Sequence, residues 1–411
     1  METITNTHTL PNGLRIIHRE CHSEVVYCGY AIAAGTRHEG GNERGLAHLC
    51  EHMSFKGTSR RNSTNIINCL EKVGGDLNAF TNKTATVYHA ALLRDYAAKA
   101  VGLLTDIVFD STYPETELRK EIEVVCDEIE SYNDSPSELI FDDLEGMLFR
   151  GHPLSGSILG EADTLRSYTG ADLAAFTARH YHPANAVFFA YGRADFRKIV
   201  EWVERAFAKI GRQYGKWEPA PTTPLPAYEA GRATISKDTH QAHVAVGNRA
   251  YGTAHPLRIP ARLLNNILGG PGMNARLNVA LREKRGLVYS VDSTLANYTD
   301  TGAWCAYLGC DKADVGRCLR ILQGQLKRMA DKPLSEKALE AAKRQMVGQI
   351  SVASDNHEQM ALDLGLHYLH TGETLDVGEV CGKIMEVKAE EVQQAAKELF
   401  APGRLTTVVY K

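Results

Sequence analysis

The chain has 411 residues, 44% of them hydrophobic, and a formal charge of −4 from 46 basic and 50 acidic side chains. That length suits two or more domains with sizeable cores, and the slightly acidic balance argues against a nucleic-acid or anionic-membrane partner. No apolar run approaches a transmembrane helix, the opening METITNTHTLPNG lacks the features of a targeting segment, and the nine cysteines, an odd number without C-x-x-C pairs, fit reduced thiols. A cytoplasmic protein is the expectation.

In chain order, Tyr27–Gly35 reads as a strand and Gly45–Gly57 as a helix. The helix carries His48-Leu49-Cys50-Glu51-His52, an H-x-x-E-H sequence. Histidines four apart stand one above the other on a helix face, and two neutral imidazoles there can hold one metal ion. Glu51 shares that face and can take a proton from a water at the same point. The competing reading is a helix with ordinary core or surface histidines. Cys50 points away from both imidazoles and reads as a small buried apolar residue. The stretch Gly74–Thr81 (GGDLNAFT) reads as a Gly turn and a strand, and Thr86–Leu92 as a second strand. Leu118–Tyr132 reads as a helix with Ile122, Val125, Cys126 and Ile129 as its apolar stripe. Its Glu121 and Glu128, seven apart, share a face. A third metal ligand can come from here, although acids on such a helix are usually a solvated face. His180-Tyr181-His182 ends a helix before a strand and reads as structural, because no carboxylate lies at ligand spacing. His89 and His357 likewise have no partners at motif spacing.

A Pro-rich stretch, 212–231, contains Pro219, Pro221, Pro224 and Pro226 and should hold neither helix nor central strand. It divides the chain into 1–211 and 232–411, and the same order of elements recurs on both sides. Ala242–Ala250 reads as a strand, Arg258–Gly270 as a helix and Ala303–Leu308 as a strand. Leu334–Gly372 aligns with Tyr113–Gly151 without a gap, 221 residues later. A shift of 213 residues, from Gly57 to Gly270, sets Ala261, Leu264 and Asn265 at the positions of His48, Glu51 and His52. Gln349 falls opposite Glu128. The apolar framework recurs and the titratable groups do not, so the fold does not need them. Strands followed by runs of helices, twice, predict an α+β protein of two tandem homologous domains. Each should be a mostly antiparallel sheet with helices packed on one face.

Three stretches together resemble the pitrilysin (M16, inverzincin) family of zinc peptidases: Gly45–Thr58 around the motif, Glu121–Glu128 (EIEVVCDE), and Leu281–Ser290 (LREKRGLVYS). The likeness runs from about Leu10 to Phe400 and is to the short two-domain members and processing-peptidase subunits. It implies one Zn²⁺ held by His48, His52 and Glu128, with Glu51 as the base and Glu121 supporting the site. It implies that the edge strand lining the cleft includes Asn78, Ala79 and Phe80. Arg282 and Tyr289 would reach the substrate and stabilise the oxyanion. The loop Gly269-Gly270-Pro271-Gly272 is similar to the family's glycine-rich loop, which touches substrate. The implied activity is an endopeptidase cleaving unfolded or short peptides in a cleft formed by a dimer. The partner is a second copy or a related chain, because this chain is half the size of the single-chain relatives. The alternative is a catalytically silent metal-binding partner subunit; such subunits usually lack a ligand or the base, and here all four residues are present.

Overall fold

The computed structural model describes residues 4–219 and 222–411. Pro221 of the expected linker lies outside the described residues. The chain forms two compact units, each built from three stretches. The first comprises Met1–Glu130, Gly156–Thr223 and Ser354–Leu375; the second comprises Ser131–Ser155, Pro224–Ala353 and Asp376–Lys411.

The first unit contains a six-stranded sheet. In spatial order its strands are β1 (Thr5–Thr9), β2 (Arg15–Arg19), β6 (Ala186–Tyr191), β3 (Val25–Ile32), β5 (Thr86–Leu93) and β4 (Asp76–Thr81). Only the β2–β6 pair is parallel. The second unit has a five-stranded sheet in the order β7 (Arg232–Ile235), β11 (Thr406–Tyr410), β8 (Ala242–Ala250), β10 (Gly302–Cys310) and β9 (Val288–Asn297). Again one pair, β7–β11, is parallel. The second sheet repeats the order β2-β6-β3-β5-β4 strand for strand, so the duplication read in the sequence is a duplication of topology. The α+β class holds in both units.

Every residue of β6 and β10 is buried. Strands of that kind need cover on both faces. One face of the first sheet carries the main core, in which Tyr30 and Phe188 pack with Leu49, Leu103, Leu118 and Phe176 from the surrounding helices. The other face takes the helix His357–Thr371. Its Gly365 lies so close to Phe189 that an added Cβ would come within 2.4 Å of the ring. Arg15 of β2 holds the helix's C-terminal end, donating to the carbonyls of Tyr368 at 3.1 Å and Leu369 at 3.2 Å. The second sheet is covered in the same way by the helix Pro136–Leu148. Ile140, Leu144 and Leu148 pack there on Ala245, Tyr307 and Val408, and Tyr410 donates to Asp143 at 2.6 Å.

The two copies have thus exchanged a helix. The expected contiguous division, 1–211 and 232–411, describes the repeat, whereas each compact unit is discontinuous. The reason is local. Tyr113–Gly151 is two helices, Glu115–Asn133 and Pro136–Leu148, and the chain passes from one unit to the other between Glu130 and Ser131, in the last turn of the first helix.

The motif helix is shorter than the spacing predicts: Leu46–Met53, followed by turns to Gly57. Leu46, Leu49, Cys50 and Met53 anchor it in the core. Its N-cap, Gly45, has φ +80°, and an added Cβ would meet the Leu159 carbonyl at 2.7 Å. Glycine is therefore required by both conformation and space. The first-turn N–H groups would be orphaned without a partner. Glu39 supplies one, accepting from Gly45 N at 3.1 Å and Ala47 N at 2.9 Å. No helix among the described residues is long and apolar enough to cross a membrane. Removing this cap should weaken the helix that carries the motif. Glu39→Ala should lower unfolding stability by about 0.5–2 kcal/mol, the range for losing a side-chain acceptor at a helix N-terminus, and Glu39→Gln, which keeps an acceptor, should lose less. Urea titration of both variants checks this, and equal stability of Glu39→Ala and the parent would contradict it.

Candidate metal centre

The motif helix sets His48, Glu51 and His52 on one side, next to the helix Glu115–Asn133. Glu121 and Glu128, two turns apart on that helix, both reach the motif. Glu121 Oε1 lies 2.9 Å from His52 Nδ1, and its Oε2 lies 2.6 Å from Lys56 Nζ. Burial alone would raise the Glu121 carboxyl, but the bonds from His52 and Lys56 outweigh it and hold the group below its usual range. An ionised Glu121 can only accept, so His52 Nδ1 donates, and in the neutral ring that leaves the lone pair on Nε2. Burial lowers His52, and the Glu121 bond with the nearby Glu51 and Glu128 charges more than reverses that.

His48 is buried. Desolvation and the neighbouring His52 pull it down to about 3, so its ring is neutral across the physiological range. The two rings lie 4.5 Å apart at 69°. Both Nε2 atoms face Glu128 Oε2, at 4.0 Å from His48 and 3.7 Å from His52. One ligand atom from each of His48, His52 and Glu128 falls within 4.8 Å of the others, a grouping that could hold a metal ion. Two imidazole nitrogens and one carboxylate oxygen are a donor set suited to zinc with a position left open. His48 Nδ1 is buried with no hydrogen-bond partner among the described residues.

Glu51 is buried beside this group. Its Oε2 accepts from Thr81 Oγ1 at 2.8 Å. Thr81 Oγ1 lies 3.2 Å from Thr86 Oγ1, which in turn donates to the Ala34 carbonyl at 2.8 Å. Burial and the Glu128 charge push the Glu51 carboxyl up, against the Thr81 bond and the His52 charge. A carboxyl raised toward neutrality is better matched to accepting and returning a proton.

Thr81 ends β4, which among the described residues has β5 as its one neighbour and is therefore an edge. Asn78 pairs with His89 and Ala79 with Tyr88. On this strand the Asn78 side-chain oxygen accepts the Ala79 N–H at 2.8 Å. Phe80 is half-buried, with its ring 6.3 Å from that of His89. The motif helix packs against this strand, so the edge and Glu51 are joined through Thr81.

The first unit thus gathers His48, Glu51, His52, Glu121 and Glu128, with Asn78, Ala79 and Phe80 on the adjoining edge. Arg282 and Tyr289 belong to the second unit. Arg282 is exposed on a π-helical turn, Asn278–Glu283. With Asn265 and the loop Gly269–Gly272 it lines a cavity of about 580 Å³. Tyr289 lies on the edge strand β9, 63% exposed, and donates to Asp311 at 2.9 Å. At the repeat positions Ala261 and Leu264 are buried. Asn265, standing where His52 stands, accepts from Trp304 Nε1 at 3.1 Å and donates to the Ser293 carbonyl at 3.0 Å. That copy uses the position for internal hydrogen bonds. His180 packs on Phe176, ring centroids 4.6 Å apart, and His182 accepts from Ala184 N at 3.1 Å. Three contributors were not singled out from the sequence: Lys56, Thr81 and Glu39. Thr81 was within reach, since it closes the strand beside Phe80, but its contact with Glu51 joins residues 30 apart.

The family model described as "Insulinase (Peptidase family M16)" matches residues 15–162, and "Peptidase M16 inactive domain" matches 167–346. The "uncharacterized zinc protease" YmxG of Bacillus subtilis is 32% identical over 96% of this chain and 95% of its own length. A zinc protease of Rickettsia bellii, described in the same words, is 29% identical over 98% of this chain and 97% of its own. The crystal structure of a protease from Helicobacter pylori superposes with a TM-score of 0.93 at 21% identity, covering 100% of this chain and 99% of that one. Carrying both family domains in order over residues 15–346, and matching a relative at 32% identity over 96% of its length, the chain belongs to peptidase family M16.

Proposed function

We propose that the protein is a zinc-dependent endopeptidase acting on extended peptides. The observation that carries this reading is the convergence of His48 Nε2, His52 Nε2 and Glu128 Oε2 beside the buried carboxylate of Glu51. The relatives' description as zinc proteases supports it. A zinc ion held by these three groups supplies the Lewis acidity that makes water a competent nucleophile near neutral pH. Glu51 takes the proton of the attacking water and returns it to the leaving amine. Thr81 orients the Glu51 carboxylate, and Glu121 with Lys56 holds the His52 ring. The open edge of β4 pairs with substrate backbone, with Asn78, Ala79 and Phe80 along the bound chain. This mode of binding takes a strand and rejects a folded surface. Arg282 and Tyr289 donate to the developing oxyanion. The "inactive domain" match falls on 167–346, outside the H-x-x-E-H helix, and so gives no support to a catalytically silent subunit.

Glu128→Gln should sharply lower the zinc content of the purified chain, and full retention would remove Glu128 from the site. Glu51→Gln should keep zinc and fold while losing about 10²–10⁴-fold in peptide hydrolysis, as expected for a lost general base. Near-normal turnover would remove the assigned role.

We further propose that the active unit is a dimer in which Arg282 and Tyr289 act from the partner chain, since the second copy carries Ala261, Leu264 and Asn265 where the first has its motif residues. Two-fold symmetry would form two equivalent sites. Glu51→Gln and Tyr289→Phe chains should each be weakly active alone. Mixed and exchanged, they should regain activity toward half the wild-type level per heterodimer. A mixture as inactive as its parts, despite proven exchange, would contradict the arrangement.

A further inference from the structure

The second unit holds a cleft of about 610 Å³ between the helix Val315–Asp331 and the π-helical turn Asn278–Glu283 with its flanks. Its walls carry Arg276, Lys284, Arg285, Arg320 and Arg328 and no acidic residue. Among the described residues, Arg276, Lys284, Arg320 and Arg328 form no ion pair. Arg285 donates to the Ala280 carbonyl at 2.7 Å. Arg276 is half-buried. Desolvation and the charge of Arg328 together hold its guanidinium below its ordinary value. Partly desolvating a cation beside another cation, without a counter-charge, is unfavourable.

The repeat supplies an internal comparison. The helices Ala97–Phe109 and Val315–Asp331 begin 218 residues apart, as do the 3₁₀ turns before them, Arg94–Tyr96 and Lys312–Asp314. That shift sets Gly102 opposite Arg320 and Asp106 opposite Gly324. In the first unit, Gly102 and Asp106 line a cleft with Arg60, Arg61, Arg205 and Lys209. There the buried Asp106 forms ion pairs with both Arg60 and Arg61. The second unit has cations at positions of its own, Arg320 among them where the first has Gly102, and it has no acid in the lining. Gly324 stands in the place of Asp106, and a Cβ built there would meet nothing within 4 Å.

We propose that this cleft binds a compact polyanion of the phosphate type: a chain of two or three phosphates, free or as the tail of a nucleotide. Four of the five cations are arginines, whose planar fork matches phosphate oxygens two at a time. The volume is that of a small-molecule site. The flanking helices have their backbone groups internally paired and offer no strand edge to an extended acidic peptide. The anion takes the place that Asp106 fills in the first unit.

Calorimetric titration of the full chain with sodium tripolyphosphate at low salt tests this. Saturable one-to-one binding is expected, weakening as salt rises. Gly324→Asp, which restores the carboxylate, should weaken it at least tenfold, and so should Arg276→Ala. Gly324→Ala should bind as the parent does. Glu128→Gln should also bind normally, which separates this cleft from the metal centre. A nucleoside triphosphate as tight as tripolyphosphate identifies the phosphate chain as the ligand, and a tighter one adds recognition of the base. Circular dichroism melts confirm that each variant is folded. The proposal is overturned if the parent shows no saturable binding, if folded Gly324→Asp and Arg276→Ala both bind like the parent, if Glu128→Gln abolishes binding, or if a glutamate-rich peptide binds more tightly than tripolyphosphate.

Discussion

Glu121 is held between His52 Nδ1 and Lys56 Nζ, and the candidate centre depends on that clasp. It ties the end of the motif helix to the helix Glu115–Asn133 and, in the neutral ring, sets the proton of His52 on Nδ1. Two turns further along the same helix face, Glu128 then meets the two free Nε2 atoms. A charge-assisted bond of this kind to a ligating imidazole orients the ring and makes it a better donor. Nothing comparable holds His48, whose ring is fixed by burial and whose Nδ1 has no partner among the described residues. The two imidazoles are thus positioned by different physics, one by a carboxylate and one by packing.

The duplication separates what the fold requires from what chemistry requires. Two sheets of matching strand order carry helices at matching places. In one copy the motif helix presents His48, Glu51 and His52. In the other, Ala261 and Leu264 are simply core, and Asn265 spends its side chain on Trp304 and Ser293. The same contrast appears on a second face, where Asp106 neutralises Arg60 and Arg61 in one copy and, in the other, Gly324 stands among arginines that form no ion pair among the described residues.

Much of this was legible in the sequence because it rests on short-range periodicity. The H-x-x-E-H spacing places three side chains on one helix face, and the seven-residue interval from Glu121 to Glu128 survives in any helix. The strand alternation and the repeat offset carried the α+β class. The exchanged helices were not legible. Nothing in the patterns of Pro136–Leu148 and His357–Thr371 says which sheet face they cover, which is a long-range fact. The wholly buried β6 and β10 do imply that each sheet has two covered faces, but not which helix supplies the cover. Glu39, Lys56 and Thr81 were missed for a related reason. Each reaches the site from a turn or a strand end, where no periodicity announces the direction of a side chain.

The central claim is that His48, His52 and Glu128 together bind zinc. X-ray absorption at the zinc edge of the purified protein tests it directly. The account predicts stoichiometric zinc with two histidine nitrogens at about 2.0–2.1 Å and the remaining scattering from oxygen. A sulfur shell at about 2.3 Å, which would bring in a cysteine such as Cys50, or zinc well below one per chain, would contradict it.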